Sequence, residues 1–167
     1  AVTLCCYGMD LVPIVEALIA RKRAGCVIEI FVDHGTAIAE TTHGEAAYLE
    51  ALMAASVPVA LLRGELKQRF YEAVGRKGSG RGIQHSKFLK VGPLAIIGSA
   101  NWTTSSLSNL ELNALVEMSP AGAKDLEEKL NIWRRSTQKS WLQDQVAVAR
   151  QRRYEEKQRK AASATHY

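Results

Sequence analysis

"QHSKFLKVGPLAIIGSANWT", residues 84–103, decides how this 167-residue chain is read. Two β-prone runs, HSKFLKV and LAIIGS, are joined by a Gly-Pro pair, as in a hairpin. Strand side chains alternate between faces, so His85 and Lys87 are expected on one face, bringing an imidazole and an ammonium into one small volume. After the second run, Gly98-Ser99-Ala100-Asn101 offers backbone N–H groups, a hydroxyl and an amide to an anion. An imidazole able to attack phosphorus, with Lys87, Ser99 and Asn101 holding the non-bridging oxygens, points to phosphodiester chemistry.

Upstream, VTLCCYG reads as a strand and DLVPIVEALIARKRAG as a helix, with Leu11, Ile14, Val15, Leu18 and Ile19 at helical spacing. Asp10 is the expected N-cap and Gly25 the C-terminal stop. CVIEIFVD then forms a β-branched strand ending in Asp33, which completes a right-handed βαβ unit. A second helix, GEAAYLEALMAAS, leads to the strand VPVALLR, so the economical architecture is an α/β sandwich around a largely buried sheet. Residues 64–82 break this pattern with a glycine-rich basic loop carrying Lys67, Arg69, Arg76, Lys77 and Arg81. The loop reads either as a groove wall that guides a phosphate backbone or anionic headgroup, with Phe70 and Tyr71 stacking on bases, or as a solvated loop.

Downstream, a polar stretch, NWTTSSLSN, precedes the strand LELNALVEM, and from Ala121 the chain turns helical. Leu126, Leu130, Trp133, Trp141 and Leu142 suffice to pack one helix on the sheet, with Trp133 and Trp141 as core anchors. Trp102 is expected to pack beneath the site. Beyond Leu142 the apolar residues thin out. The chain therefore divides into a folded unit, 1–141, and a basic, helical tail, 142–167. No repeat is present, and the H-x-K…G-S-x-N pattern occurs once.

Bulk properties narrow the choices further. A hydrophobic share of 47% supports a folded core, and no apolar run reaches the length of a membrane-spanning helix. The net charge of +5 is uneven: residues 134–160 hold nine Lys or Arg against three acids, leaving −1 for the rest. Such a tail reads as a solvated helix, a nucleic-acid-binding arm, or a strip that docks on a larger assembly, with RNA or a ribonucleoprotein as the first partner to test. Cys5, Cys6 and Cys26 form no C-x-x-C pair and read as buried thiols in strands, which favours an intracellular, reducing compartment. No cluster of carboxylates and histidines suggests a metal, and no cofactor is expected. The opening at Ala1, without Met, is compatible with removal of an upstream targeting or anchoring segment, so the N-terminus gives no address.

"IQHSKFLKV…LAIIGSANWT" resembles the H-x-K…G-S-x-N signature of the phospholipase D superfamily, especially its members with one motif per chain: bacterial single-domain nucleases and the mitochondrial cardiolipin hydrolase group. The resemblance runs from about residue 2 to about 141. It implies an α-β-α sandwich with a mixed central sheet and a metal-independent phosphodiesterase in which His85 becomes a phosphohistidine. Lys87 and Asn101 would bind phosphate, Ser99 would assist, and Glu111 would orient the histidine, although its spacing from Asn101 is one residue short. The second histidine that the chemistry needs would come from a second copy in a two-fold homodimer. The resemblance leaves the substrate open between nucleic acid (RNA or single-stranded DNA) and anionic phospholipid, and it puts the mitochondrion among the compartments to test. One departure stands out: Gly92 occupies the place of the motif's aspartate, which leaves open a catalytically silent domain serving as a structural or RNA-binding subunit.

Overall fold

Ile28–Asp33 (β2) is buried along almost its whole length, because a strand covered on both faces needs apolar residues at successive positions. In the computed structural model, which describes residues 1–38, 45–62, 83–137 and 154–155, it pairs in parallel with Val2–Cys6 (β1) and with Val59–Leu62 (β3). Phe88–Val91 (β4) runs antiparallel to β1, Leu94–Gly98 (β5) antiparallel to β4, and Asn113–Glu117 (β6) antiparallel to β5. The result is a mixed sheet of order β3-β2-β1-β4-β5-β6.

Helices cover both faces. Val12–Arg23 (α1) and Glu45–Ala54 (α3) bury Val15, Leu18, Leu49 and Leu52 against Leu4, Cys6, Ile30 and Val32. On the other face Pro120–Ser136 (α4) sets Leu130 and Trp133 on Cys5, Phe31, Leu62 and Phe88. Trp133 meets Phe31 edge-on at 5.6 Å and stacks on Phe88 at 6.4 Å, the core-anchor role expected of it. Ser119 caps α4 by accepting from the Gly122 N–H at 3.1 Å, with Pro120 in the first turn, where its missing N–H costs nothing. The α-β-α sandwich with a mixed sheet and a C-terminal helix is thus the observed fold.

Two local expectations need correction. Asp10 does not cap α1: its N-cap is Leu11, and the Asp10 carboxylate instead accepts from the Thr104 N–H at 2.5 Å, a tertiary contact that spacing cannot show. Between them, β2 passes at Asp33 directly into a short helix, His34–Ile38 (α2). The strand expected from His85 begins only at Phe88, where antiparallel pairing with Cys5 starts. Gly25 does close α1, at φ +84°.

Gly92 sits in the two-residue turn between the paired residues Val91 and Leu94, with φ +58°. A tight hairpin commonly demands this left-handed value at its first central position, and glycine adopts it without a Cβ clash. The turn lies at the far end of β4 from His85, and the four residues of that strand alone span about 13 Å at ~3.3 Å per residue. The basic loop residues Lys67, Arg69, Arg76, Lys77 and Arg81, together with Phe70, Tyr71, Trp141 and Leu142, lie outside the described residues. So does most of the tail, in which Tyr154 and Glu155 are helical and exposed.

Candidate active site

Strand directions gather the chemistry at one edge of the sheet. β1 and β2 end there, β4 begins there, β5 ends there and β6 begins there. The neighbours β2 and β4 leave β1 on opposite sides with opposite directions, and the crevice at such a switch point is where open α/β sheets bind ligands.

His85 and Lys87 precede β4, so strand alternation does not align them: His85 is exposed while Lys87 is buried. They converge by another route. The His85 ring stands edge-on to Tyr7 at 5.2 Å, and the Lys87 ammonium lies 5.7 Å from the centroid of the same ring. Lys87 Nζ also donates to the His85 carbonyl at 3.0 Å. Burial holds the Lys87 ammonium below the ordinary lysine value, and the nearby Glu111 carboxylate opposes that shift.

The next hairpin brings the second half of the motif alongside. Gly98 N–H donates to the Lys87 carbonyl at 3.3 Å, which ties the end of β5 to the start of β4. A side chain is not tolerated at Gly98, because a Cβ there would stand 2.0 Å from Asn113 Oδ1 and 2.5 Å from the Leu112 carbonyl. Ser99 Oγ donates to Glu111 and accepts from the Leu112 N–H at 3.0 Å. Glu111 also accepts from Asn109 at 3.3 Å. Among the described residues no hydrogen bond joins Glu111 to His85; the carboxylate serves Ser99 and the field at Lys87 instead.

Asn101 lines a cleft of about 420 Å³ together with Lys87, Trp102, Ser106, Glu111 and Asn113. Asn101 Oδ1 and Trp102 Nε1 are buried without a hydrogen-bond partner among the described residues, which leaves hydrogen-bonding capacity unspent beside the cleft. Trp102 packs on the core, as expected, and its carbonyl accepts from the N–H groups of Asp10 and Leu11 at 3.0 Å each. That pair fixes the post-motif loop to the start of α1.

Sequence reasoning missed Tyr7, Asp33 and Gln84. Tyr7 follows β1, so the only available signal was the rule that ligands collect where parallel strands end. Of the thiols, Cys5 and Cys6 are fully buried and Cys26 is half-buried before β2; all three are free. Burial pushes Cys5 up to about 12 and Cys6 well above the ordinary thiol value, so neither is a ready nucleophile. Among the described residues no group of three or more His, Cys, Asp or Glu is placed to hold a metal ion, and no helix is long and apolar enough to cross a membrane.

Residues 1–133 match the family described as cardiolipin synthase, PLD-like domain. Two solved structures are similar to this chain. One is Nuc from Salmonella typhimurium, described as a phospholipase D family member, with TM-score 0.63 and 19% identity, covering 82% of this chain and 79% of that one. The other is NucT from Helicobacter pylori, with TM-score 0.64 and 18% identity, covering 81% of this chain and 79% of that one. At such identities the structures speak for the fold. No curated protein matches the chain.

Proposed function

The chain belongs to the phospholipase D-like superfamily and residues 1–167 carry its motif once, and from that premise we propose that it is a metal-independent phosphodiesterase working through a phosphohistidine at His85. The observation that carries this reading is the convergence of His85 and Lys87 on Tyr7, with Lys87 also lining the cleft that Asn101 and Glu111 share. A neutral imidazole nitrogen of His85 attacks phosphorus, and the bond from phosphorus to the leaving oxygen breaks. The buried Lys87 ammonium and the Asn101 amide hold the non-bridging oxygens, where a desolvated cation stabilises developing charge most strongly, and the Ser99 hydroxyl assists by turning its one proton from Glu111 to the phosphate. Water then attacks the phosphohistidine, which releases His85 and the phosphomonoester.

A proton must reach the leaving oxygen, and His85 of a second copy is the proposed donor; the same group then takes the proton from water. The site edge has apolar surface suited to that copy. Leu107, Leu110, Leu112 and Leu115 are each at least 70% exposed around the start of β6, which forms the sheet edge among the described strands. Gly92, which motivates the silent alternative, answers to turn geometry at the far end of β4 and not to the reaction. Nucleic acid and anionic phospholipid share the phosphodiester that this site would read, and the tail from 142 is the proposed arm toward RNA or a larger assembly. The free cysteines support a reducing compartment.

Purified protein should cleave bis-(p-nitrophenyl) phosphate in EDTA, and His85→Ala should abolish the activity; cleavage that survives the substitution removes His85 as nucleophile. Sedimentation at micromolar concentration should give a dimer, and a monomer would defeat the paired site. Consumption of single-stranded RNA or DNA, as against cardiolipin vesicles, decides the substrate.

A further inference from the structure

The residue that carries the nucleophile stands outside the hydrogen-bonded ladder. β4 begins at Phe88, three residues beyond His85, and residues 83–87 belong to no strand. Something else must hold the segment, because a misplacement of about 1 Å costs an active site as much as 10²-fold in rate.

One buried carboxylate does so. Asp33, 3% exposed at the end of β2, receives the backbone N–H of Gln84 on Oδ2 at 2.7 Å. Gln84 immediately precedes His85 and is itself buried. The other oxygen, Oδ1, accepts from the Thr36 N–H at 3.0 Å and from Thr36 Oγ1 at 3.2 Å. Asp33 therefore spans two duties. Oδ1 caps the short helix α2, and Oδ2 fixes a peptide 51 residues later in the chain. A buried bond to an ionised acceptor is roughly twice as strong as a neutral one. The Gln84 side chain adds a second hold by donating to Cys5 Sγ and to the Ser86 carbonyl. Helix capping alone would need only the Thr36 contacts, so the bond to Gln84 is the one that serves the site.

We infer that Asp33 is a positioning residue for His85, acting through the backbone N–H of Gln84. The inference rests on the reading of His85 as nucleophile, and its test separates the two. Asp33→Asn preserves size but places an amide N–H against a donor, at either Thr36 or Gln84. With bis-(p-nitrophenyl) phosphate as substrate, kcat should fall about tenfold to hundredfold while KM stays within about twofold. The His85 ring resonances, assigned by their loss in His85→Ala, should move. Thr36→Val, which removes only the hydroxyl from the capping side, should lower the melting temperature and leave both kcat and the His85 resonances in place.

An Asp33→Asn protein with unchanged kcat and unmoved His85 resonances overturns the inference, as does an equal loss of kcat in Thr36→Val, which would mark a capping effect alone. If the unmodified chain cleaves nothing, the proposed function fails, yet displaced His85 resonances in Asp33→Asn still support the placement and unmoved ones still overturn it. A measurement on the unmodified chain covers a variant that does not fold. The Gln84 amide should exchange as slowly as the amides of the β1–β4 ladder; exchange as fast as that of exposed Ile83 overturns the inference.

Discussion

The two ends of the sheet treat charge in opposite ways. At the end away from the motif, Glu29 meets Arg134, which also holds Glu127, and Thr3 Oγ1 donates to Glu29 at 3.0 Å. Burial alone would raise the Glu29 carboxyl, but the Arg134 hydrogen bonds and charge outweigh it and hold the group below its ordinary value. At the motif end, Lys87 is buried and makes no ion pair among the described residues, where it meets a carbonyl, an aromatic face and the field of Glu111. Asn101 Oδ1 and Trp102 Nε1 there lack partners among the described residues, and the apolar side chains of the β6 hairpin face outward. A charge satisfied inside the chain stabilises the fold. A charge left for something outside the chain lowers stability and marks function.

The sharpest way to break this contrast is Lys87→Met. Phosphodiesterase activity should fall about 10²–10³-fold, as for loss of a preorganised transition-state donor. The melting temperature should hold or rise, because an apolar chain replaces a desolvated ammonium. A large loss of stability would place Lys87 among the structural charges and erase the contrast. Glu111→Gln should cost less, about tenfold, equivalent to about 1.4 kcal/mol of barrier. Glu111 raises the Lys87 pKa, so its neutralisation should lower the pH at which the Lys87 ammonium loses its proton, read from the Lys87 side-chain NMR resonances; an unmoved titration would show that the two do not interact.

At the other end the expectation reverses. Glu29→Gln should leave the rate unchanged and destabilise by about 1 kcal/mol, a figure kept small because both partners are partly exposed. Since folding lowers the Glu29 pKa, the stability it supplies is fully present above the unfolded value of about 4.3 and is lost as pH falls through the lowered folded value. Thermal melts should therefore separate variant from parent at pH 7 and converge in acid. The smallest effect belongs to Gly92→Asp, which restores the family's aspartate at a left-handed turn residue with open space around it. It should cost under about 1 kcal/mol, since aspartate tolerates this conformation better than most residues, and change kcat by less than about twofold. A large gain in rate would mean that the glycine had silenced the site.

Much of the fold was legible because burial writes itself into periodicity. β2 reads as a continuous apolar run since both its faces are covered, and Leu126, Leu130 and Trp133 fall at i, i+4 and i+7 since one face of α4 meets the sheet. Errors came where a tertiary partner competed with a local one. Asp10 has the chemistry of an N-cap, yet the Thr104 N–H claims it. His85 and Lys87 have the spacing of a strand face, yet the ladder starts at Phe88, and it is Tyr7, from another strand's end, that brings them together. Glu111, expected behind the histidine, accepts from the Ser99 hydroxyl, a contact that spacing along the chain does not show.

The sequence by itself determined the residue types that can do phosphodiester chemistry, their order along one hairpin, and the α/β alternation that carries them. Local spacing suffices for these, because strand and helix periods are properties of the backbone. Only the tertiary structure decided which groups meet. Tyr7 and Asp33 reach the His85 segment from two other parts of the chain, one at the His85 ring and one at the Gln84 N–H, because strand direction and sheet order, set by packing of the whole core, bring β1, β2 and β4 to a common end of the sheet. No single stretch of chain, the twenty residues of the motif included, contains that information.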